Sequence, residues 1–363
     1  MAESRLSWRR LRDNKVFWPV VVLALLMLFN AIFTPGFFKI EFKDGHLFGS
    51  LIDILNRGSI LAVLAIGMTL VIATGGVDLS VGAVMAISAC MATVMINPQL
   101  ANAGVRSAQD MLADFTNTPM WLLILTALAV CTGCGLWNGL LVSRINIQPM
   151  VATLVLMVAG RGIAQLIVNG QIITVYYTPY YFIGNGFLLG LPFTFFIVVA
   201  VFLLAWLLTR KTAIGLFLES VGINSTASFY SGINEKNIKL LAYTFCGFCA
   251  GIGGLIYSSN VRSADANNAG LSTELDAILA VVFGGTLMTG GRFSLLASIV
   301  GALVIQTTTT TLYALGVPAM AATAVKGLVV LIVVLLYSQQ AREGLGLLIE
   351  STGALFAKKG GQS

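Results

Sequence analysis

The sequence predicts an all-α polytopic membrane protein with about ten transmembrane helices and glycine-rich helix breaks. Of its 363 residues, 57% are hydrophobic and only 10% are charged, which is more apolar surface than a soluble fold can bury. The apolar residues fall in long runs, and no polar block is long enough to form a separate soluble domain. One integral membrane domain is therefore expected over residues 16–338.

The first predicted helix follows a basic N-terminal tail. Residues 1–15 hold five arginines or lysines, and an apolar run extends over about 16–34 until Pro35 and Gly36 end it. This run is too long for a cleaved signal peptide, so it is interpreted as an uncleaved helix. With roughly 20 residues per span, the remaining helices are expected near 58–74, 80–96, 119–142, 149–168, 191–209, 239–259, 275–290, 294–313 and 318–338.

The distribution of basic residues supports this count of helices and predicts that both termini are cytoplasmic. Loops assigned to the inside are rich in lysine and arginine, whereas the three loops assigned to the outside hold only Arg106 and Arg262. The loop at 35–57, with three basic residues, is the exception. The net charge of +6 is explained by this flanking pattern, so no nucleic-acid partner is expected. The C-terminal tail, residues 339–363, is expected inside.

A glycine-rich stretch interrupts the apolar run from Ile60 to Ile96. Residues 73–82 read Ala-Thr-Gly-Gly-Val-Asp-Leu-Ser-Val-Gly. One interpretation is a tight turn in which Asp78 or Ser80 caps the following helix. The other is a functional site, because irregular backbone and a carboxylate are tolerated in lipid only where protein or a water-filled cavity satisfies them. The two interpretations are compatible.

A second glycine-rich break occupies residues 283–291, which read Phe-Gly-Gly-Thr-Leu-Met-Thr-Gly-Gly. Paired interrupted segments in the two halves of a transporter indicate its binding region. The span count also allows the halves to be inverted repeats, although the two breaks do not occupy strictly equivalent positions in such a repeat. The motifs Gly135-x-x-x-Gly139 and Gly247-x-x-x-Gly251 are expected to be helix-packing contacts.

The ionisable residues Arg161, Asp276 and Lys326 fall in the predicted spans, and Glu274 lies just outside one of them. Charges in a membrane either pair with one another or line a pathway, and the sequence leaves both roles open. Ion-driven carriers usually hold acidic residues at the centres of their spans. This chain has few beyond Asp78, which counts against ion coupling.

No metal, cofactor or catalytic site is expected. The cysteines include two C-x-x-C pairs, at 131–134 and 246–249, but both lie in apolar spans without a nearby histidine. Cysteine in a buried helix usually acts as a small hydrophobe. The sequence also lacks the HExxH and G-x-S-x-G motifs, so an intramembrane enzyme is disfavoured.

The longest inward loop, residues 210–238, mixes apolar and polar residues. Such a segment can form short helices that lie at the membrane surface with one apolar face. A solvated connector would not need its aromatic residues Phe217, Phe229 and Tyr230, but a segment that passes force from a cytoplasmic motor would. No G-x-x-x-x-G-K-[ST] phosphate loop occurs in the sequence, so any ATP-driven step must come from a partner chain.

From the second span onward, nearly the whole chain carries a specific series of motifs. They are Gly67-Met68-Thr69-Leu70-Val71-Ile72, residues 74–82, Ala152-Thr153-Leu154, Gly160-Arg161-Gly162, Ser231-Gly232-Ile233-Asn234, Glu274-Leu275-Asp276-Ala277-Ile278, Gly284-Gly285-Thr286 and Val325-Lys326. In this order they resemble the permease subunits of bacterial ABC sugar importers of the ribose, arabinose and galactose type. Ile72-Ala73-Thr74 and residues 53–57 and 264–270 look most like the permeases of galactofuranose importers.

The resemblance implies a multi-pass permease of the bacterial inner membrane that is not itself an enzyme. The implied partners are a cytoplasmic ABC ATPase, a periplasmic sugar-binding protein, and a second permease subunit that is identical or homologous. The implied substrate is a monosaccharide, such as galactofuranose or a related furanose or pentose. An ion-coupled sugar carrier that works without an ATPase is the alternative.

The resemblance also implies roles for individual residues. The ATPase is implied to dock on residues 210–238, where the family usually has Gly-Gly-Asn-Glu-Ala-Ala. Residues 221–227 of this chain read Val-Gly-Ile-Asn-Ser-Thr-Ala, which loses one glycine and the glutamate. The candidate coupling residues are Glu219, Gly222, Asn224, Ala227, Ser231 and Gly232. Sugar hydroxyls need hydrogen-bond donors and acceptors, so the expected translocation path comprises Thr74, Gly75, Gly76, Asp78, Ser80, Gly284, Gly285 and Thr286.

Overall fold

A computed structural model describes residues 16–43, 45–97, 118–318 and 321–328 of the chain. The chain separates into two compact units, residues 1–307 and 308–363. The helices are α1 (Phe17–Phe33), α2 (Ser50–Ala73), α3 (Val81–Ile96), α4 (Met120–Ser143), α5 (Pro149–Ile167), α6 (Thr178–Asn185), α7 (Phe193–Arg210), α8 (Ile214–Ile223), α9 (Ser225–Tyr230), α10 (Glu235–Val261), α11 (Thr273–Phe283) and α12 (Leu295–Ala314). Short antiparallel pairs join β1 (Glu41–Lys43) to β2 (His46–Phe48), β3 (Ile173–Thr174) to β6 (Ser263–Ala264), and β4 (Phe187–Leu188) to β5 (Leu191–Pro192).

Six of the described helices are long and apolar enough to cross a membrane, judged by length and composition. They are α2, α4, α5, α7, α10 and α12. The apolar helices α1 and α3 are shorter, with 17 and 16 residues. The all-α polytopic class is therefore confirmed, whereas the predicted count of about ten spans is not. Most of the last predicted span, 318–338, lies outside the described residues, which show a helix over 321–328.

Two predicted spans differ from the observed helices. α2 begins at Ser50 rather than near residue 58, because polar residues that indicated a loop are accommodated in the helix. Asp53 lies in its first turn, where the helix dipole favours a carboxylate, and Asn56 Oδ1 accepts a hydrogen bond from Thr194 Oγ1 at 3.0 Å. α11 has only 11 residues, because the backbone leaves the helix at the second glycine break. The span predicted at 275–290 is therefore a short helix followed by that break.

The helix α10 lies at the centre of the first unit and packs against α2, α3 and α4. Glycine permits the close approach of α4 and α10, since a Cβ added to Gly135 would lie 3.0 Å from the Cα of Gly247. Gly251 faces the side chain of Cys131, and Gly139 faces Leu240. The predicted packing role of both G-x-x-x-G motifs is therefore confirmed.

Candidate functional site

The first glycine break is a short irregular segment between α2 and α3. α2 ends at Ala73, and the amide of Gly75 donates to the carbonyl of Ile72 at 2.9 Å. Gly75 has a φ of +80°, a left-handed conformation that favours glycine. Because α2 has 24 residues and is about 36 Å long, this break follows a helix of full membrane length.

A buried cluster of three polar side chains lies at the end of the first break that leads into α3. Asp78 Oδ1 accepts hydrogen bonds from the amide and the hydroxyl of Ser80, at 2.9 and 2.6 Å. Asn138 Nδ2, from α4, donates to Ser80 Oγ at 2.8 Å and lies 3.4 Å from Asp78 Oδ1. Each of these residues is at most 1% exposed. The cluster holds the chain in position just before α3 begins.

The predicted cap of α3 is formed differently from the sequence-based expectation. Ser80 is the N-cap residue, but its side chain makes no capping hydrogen bond. Asp78 instead accepts the backbone N–H of Ser80 itself. Sequence reasoning missed Asn138, whose only signal was an amide in an otherwise apolar span. Asn138 Oδ1 is buried without a hydrogen-bond partner among the described residues, and such a group costs about 1–3 kcal/mol.

Tyr243 of α10 also packs against the first break. Its hydroxyl donates to the carbonyl of Val77 at 3.3 Å, and the whole side chain is buried. A Cβ added to Gly76 would overlap the Tyr243 hydroxyl. A side chain at Gly76 would therefore force the Tyr243 hydroxyl away from Val77. Tyr243 is a second residue of the site that sequence reasoning missed.

The second glycine break begins where α11 ends. Gly284 packs against the start of α12, since a Cβ there would lie 2.7 Å from the amide nitrogen of Ser298. Gly285 has a φ of +71°, and the amide of Thr286 donates to the carbonyl of Val281 at 3.3 Å. Thr286 Oγ1 is buried without a hydrogen-bond partner in the described part of the chain.

The two glycine breaks contact each other through their backbones. The amide of Gly291 donates to the carbonyl of Ala73 at 2.9 Å. Gly290 has a φ of +90°, and a Cβ on it would lie 2.8 Å from the amide nitrogen of Gly75. The structure therefore joins two segments that the sequence placed in different halves of the chain.

A cavity of about 230 Å³ lies beside the first break. Its polar walls come from the break, from the loop between α4 and α5, and from the beginning of α10. The lining residues are Thr74, Gly75, Gly76, Val142, Asn146, Ile147, Gln148, Pro149, Lys239 and Tyr243. A larger cavity of about 660 Å³ shares Asn146 and continues along the loop that precedes α10.

The predicted path residues occupy three different positions. Thr74, Gly75 and Gly76 line the smaller cavity. The side chains of Asp78 and Ser80 are buried behind it in the polar cluster. The predicted path residues of the second break, Gly284, Gly285 and Thr286, are not among the residues that line the cavity.

The predicted inward loop folds into the short helices α8 and α9. Gly215, Leu218 and Val221 form the buried face of α8. Asn224 Oδ1 caps α9 by accepting from the amide of Ala227 at 2.9 Å. Among the remaining candidate coupling residues, Ser231 and Gly232 are exposed, while Glu219 and Gly222 are half-buried.

Arg161 donates hydrogen bonds to two backbone carbonyls of the loop that precedes α11. Its Nη1 donates to the carbonyl of Ala266 at 3.0 Å and to that of Ala269. Next to it, Gln165 Nε2 donates to Asn267 Oδ1 at 2.5 Å. Arg161 and Gln165 therefore attach the loop at 262–272 to α5.

The residues that line the smaller cavity include none of the other charged residues predicted in the spans. Glu274 is only 6% exposed and interacts electrostatically with Arg161. Asp276 is half-buried on α11. Lys326 is half-buried in the helix over 321–328, within the second compact unit. The five cysteines are free thiols, and no cluster of three metal-binding side chains occurs in the described residues.

Residues 50–336 match the protein family described as branched-chain amino acid transport system / permease component. The chain is similar to the galactofuranose transporter permease protein of Escherichia coli (strain K12), with 49% identity over 89% of this chain and 91% of that protein. No solved structure matches the chain.

Two further relatives are named for other sugars. The fructose import permease protein FruF of Bifidobacterium longum (strain NCC 2705) is 39% identical over 92% of this chain and 90% of its own length. The ribose import permease protein of Haemophilus influenzae is 33% identical over 87% of this chain and 90% of its own length.

Proposed function

The chain belongs to this family of permease components and is the permease subunit of an ABC sugar importer, and we propose that its substrate is galactofuranose or a related furanose or pentose. The observation that carries the proposal is the 49% identity to a galactofuranose permease over nearly the full length of both chains. The relatives at 39% and 33% identity are named for fructose and ribose, which supports a monosaccharide more generally.

The chemistry of the smaller cavity favours a sugar over an amino acid, although the family description refers to branched-chain amino acids. Thr74, Asn146 and Gln148 supply hydroxyl and amide groups that suit the hydroxyls of a sugar. Among the described residues that line the cavity, Lys239 is the only charged one, and its Nζ lies 3.2 Å from a carboxylate oxygen of Glu235. An uncharged polyol therefore fits this lining better than a zwitterion does.

In the proposed mechanism the ATPase docks on the segment at 210–238 and drives alternating access. Three exposed apolar side chains support this docking surface, since Ile223, Phe229 and Tyr230 are 71%, 63% and 84% exposed. The coupling residues are proposed to be Glu219, Gly222, Asn224, Ala227, Ser231 and Gly232.

The proposed importer contains further subunits besides the ATPase. A periplasmic sugar-binding protein delivers the sugar, and a second permease subunit, identical or homologous, completes the membrane part. The chain is a multi-pass protein of the inner membrane, for which we propose about ten spans and cytoplasmic termini. The proposed path comprises Thr74, Gly75, Gly76, Asp78, Ser80, Gly284, Gly285 and Thr286.

Reconstitution in proteoliposomes tests this function. The chain would be purified with its candidate ATPase and supplied with a sugar-binding protein, and ATP hydrolysis and uptake of labelled furanoses and pyranoses would be followed. We expect the loaded binding protein to stimulate hydrolysis and uptake, with a furanose preferred. Uptake by the chain alone, driven by an ion gradient, would instead identify a secondary carrier.

A further inference from the structure

We propose that Gly222 is a positioning residue through which the ATPase-docking segment holds both glycine breaks at once. The inference rests on the proposed function, because it assumes that this segment receives the motion of the ATPase. Gly222 lies at the end of α8, one residue before Ile223, where that helix stops.

Gly222 packs against the hydrogen bond that joins the two glycine breaks. A Cβ added to Gly222 would overlap both the carbonyl oxygen of Ala73 and the amide nitrogen of Gly291. These two atoms are the acceptor and the donor of the bond between the breaks, which is 2.9 Å long. The backbone of α8 therefore lies directly against that bond.

Gly290 of the second break also packs against Gly222, and it contacts Gly75 of the first break as well. A Cβ on Gly290 would lie 2.9 Å from the carbonyl oxygen of Gly222 and 2.8 Å from the amide nitrogen of Gly75. One glycine from each break and one from α8 thus meet with no side chain between them. Displacement of α8 must then displace both breaks, since backbone atoms in contact cannot yield by a change of rotamer.

The rest of α8 can transmit such a displacement. Leu218 is fully buried and Val221 is 2% exposed, so the helix is anchored along one face. Ile223, the last residue of α8, is exposed and forms part of the proposed docking surface. The short helix therefore connects that surface to the junction of the breaks within one turn.

The test is Gly222→Ala in the complete importer, reconstituted with its ATPase and binding protein. We expect the variant complex to assemble and hydrolyse ATP, while the sugar taken up per ATP falls about tenfold. Gly133→Ala is the matched control, because a Cβ there meets nothing within 4 Å, and it should behave like the wild type. A simple packing role for Gly222 would lower the thermal stability and leave the uptake per ATP unchanged.

A second variant keeps the test decisive if Gly222→Ala does not assemble. A Cβ on Gly291 would lie 3.1 Å from Ile223 Cγ1, so Ile223→Ala shortens a side chain beside the same junction without adding atoms. Because Ile223 also belongs to the proposed docking surface, binding of the ATPase to this variant is measured first, and the uptake per ATP is compared with the wild type when both are saturated with ATPase. We expect the variant to lower the uptake per ATP about threefold. Wild-type coupling in every variant that assembles would overturn the inference and leave the proposed function intact. If the wild type itself shows no ATP-driven uptake, the proposed function fails instead.

Discussion

Gly82 and Gly270 lie in direct backbone contact, since a Cβ added to either residue would overlap the carbonyl oxygen of the other. Gly82 belongs to the first turn of α3, just after the first break, and Gly270 lies shortly before α11. The hydrogen bond from Gly291 to Ala73 joins the same two stretches of chain at their other ends. The first break and the stretch that contains α11 are therefore fixed to each other twice.

Gly82→Ala is expected to destabilise the protein, because the added methyl group would also overlap the carboxylate of Glu274. Overpacking of this kind costs about 1–3 kcal/mol. The thermal denaturation midpoint of the purified chain in detergent measures the effect. Gly162→Ala on α5 is the control, since a Cβ there meets nothing within 4 Å. An unchanged midpoint for Gly82→Ala would contradict the observed contact.

Substitutions of Asp78 separate its structural role from its proposed role in the path. Asp78→Ala removes the acceptor that serves Ser80 and should cost about 1–3 kcal/mol of stability, whereas Asp78→Asn keeps one oxygen and should cost less. Both variants are expected to reduce sugar uptake. Denaturation midpoints and uptake would be measured on the same preparations. Normal folding with normal uptake in both variants would exclude Asp78 from the path.

Gln148→Leu tests whether the smaller cavity binds sugar. Loss of one hydrogen-bonding amide from the lining should reduce sugar uptake about threefold to tenfold, while the basal ATP hydrolysis of the complex stays unchanged. The exposed Gln171, which lies outside the cavity, provides the control Gln171→Leu. Equal uptake by the two variants would mean that this cavity is not on the path.

Arg161→Lys should release the loop at 262–272. Both carbonyls accept from the single nitrogen Nη1. The lysine ammonium is a more strongly hydrated point charge on a flexible stem, so we expect the carbonyls of Ala266 and Ala269 to lose their shared donor. Faster amide hydrogen exchange in this loop, with weaker stimulation of ATP hydrolysis by the loaded binding protein, is the expected result. Arg144→Lys is the control, because the exposed Arg144 donates to Asn237 rather than to this loop. Unchanged exchange in the Arg161 variant would refute the anchoring role.

The same loop should depend on pH through Asp265. Partial burial alone would raise the pKa of Asp265, but hydrogen bonds from Asn268 and Asn267 and the charge of Arg161 outweigh it, so the pKa lies below its ordinary value of 3.8. A lowered pKa means that the stabilisation is present above pH 3.8 and is lost as the pH falls through the lower, folded-state value. Protection of residues 262–272 from proteolysis should therefore be constant at neutral pH and decrease below about pH 4. Asp265→Asn should abolish this dependence.

The sequence predicted those helices best whose apolar runs are uninterrupted. The spans expected at 80–96 and 119–142 correspond closely to α3 and α4. The first glycine break precedes α3, Pro119 precedes α4, and polar residues follow both helices, so their ends are clearly marked in the sequence. The predicted start of α2 was wrong, because polar side chains in its first turns find hydrogen-bond partners that are distant in sequence, such as Thr194. Local patterns do not contain that information.

The candidate site could be predicted only in part for the same reason. Both glycine breaks were evident from composition, since clustered glycines are unusual within apolar runs and the first break also holds a carboxylate. Their mutual contact was not, because the hydrogen bond between Ala73 and Gly291 depends on tertiary structure. Asn138 and Tyr243 were missed because a single polar residue in an apolar helix has no local signature. Their roles follow only from the side chains that they meet.

The bond between Ala73 and Gly291 also has a consequence for how the protein is made. Ala73 leaves the ribosome long before Gly291 does, and chains are synthesised and begin to fold from the N-terminus. Through most of translation, the carbonyl of Ala73 therefore lacks the amide of Gly291, its hydrogen-bond donor in the folded protein. The contact between the two breaks can therefore form only after residue 291 has been synthesised, when four-fifths of the chain is complete.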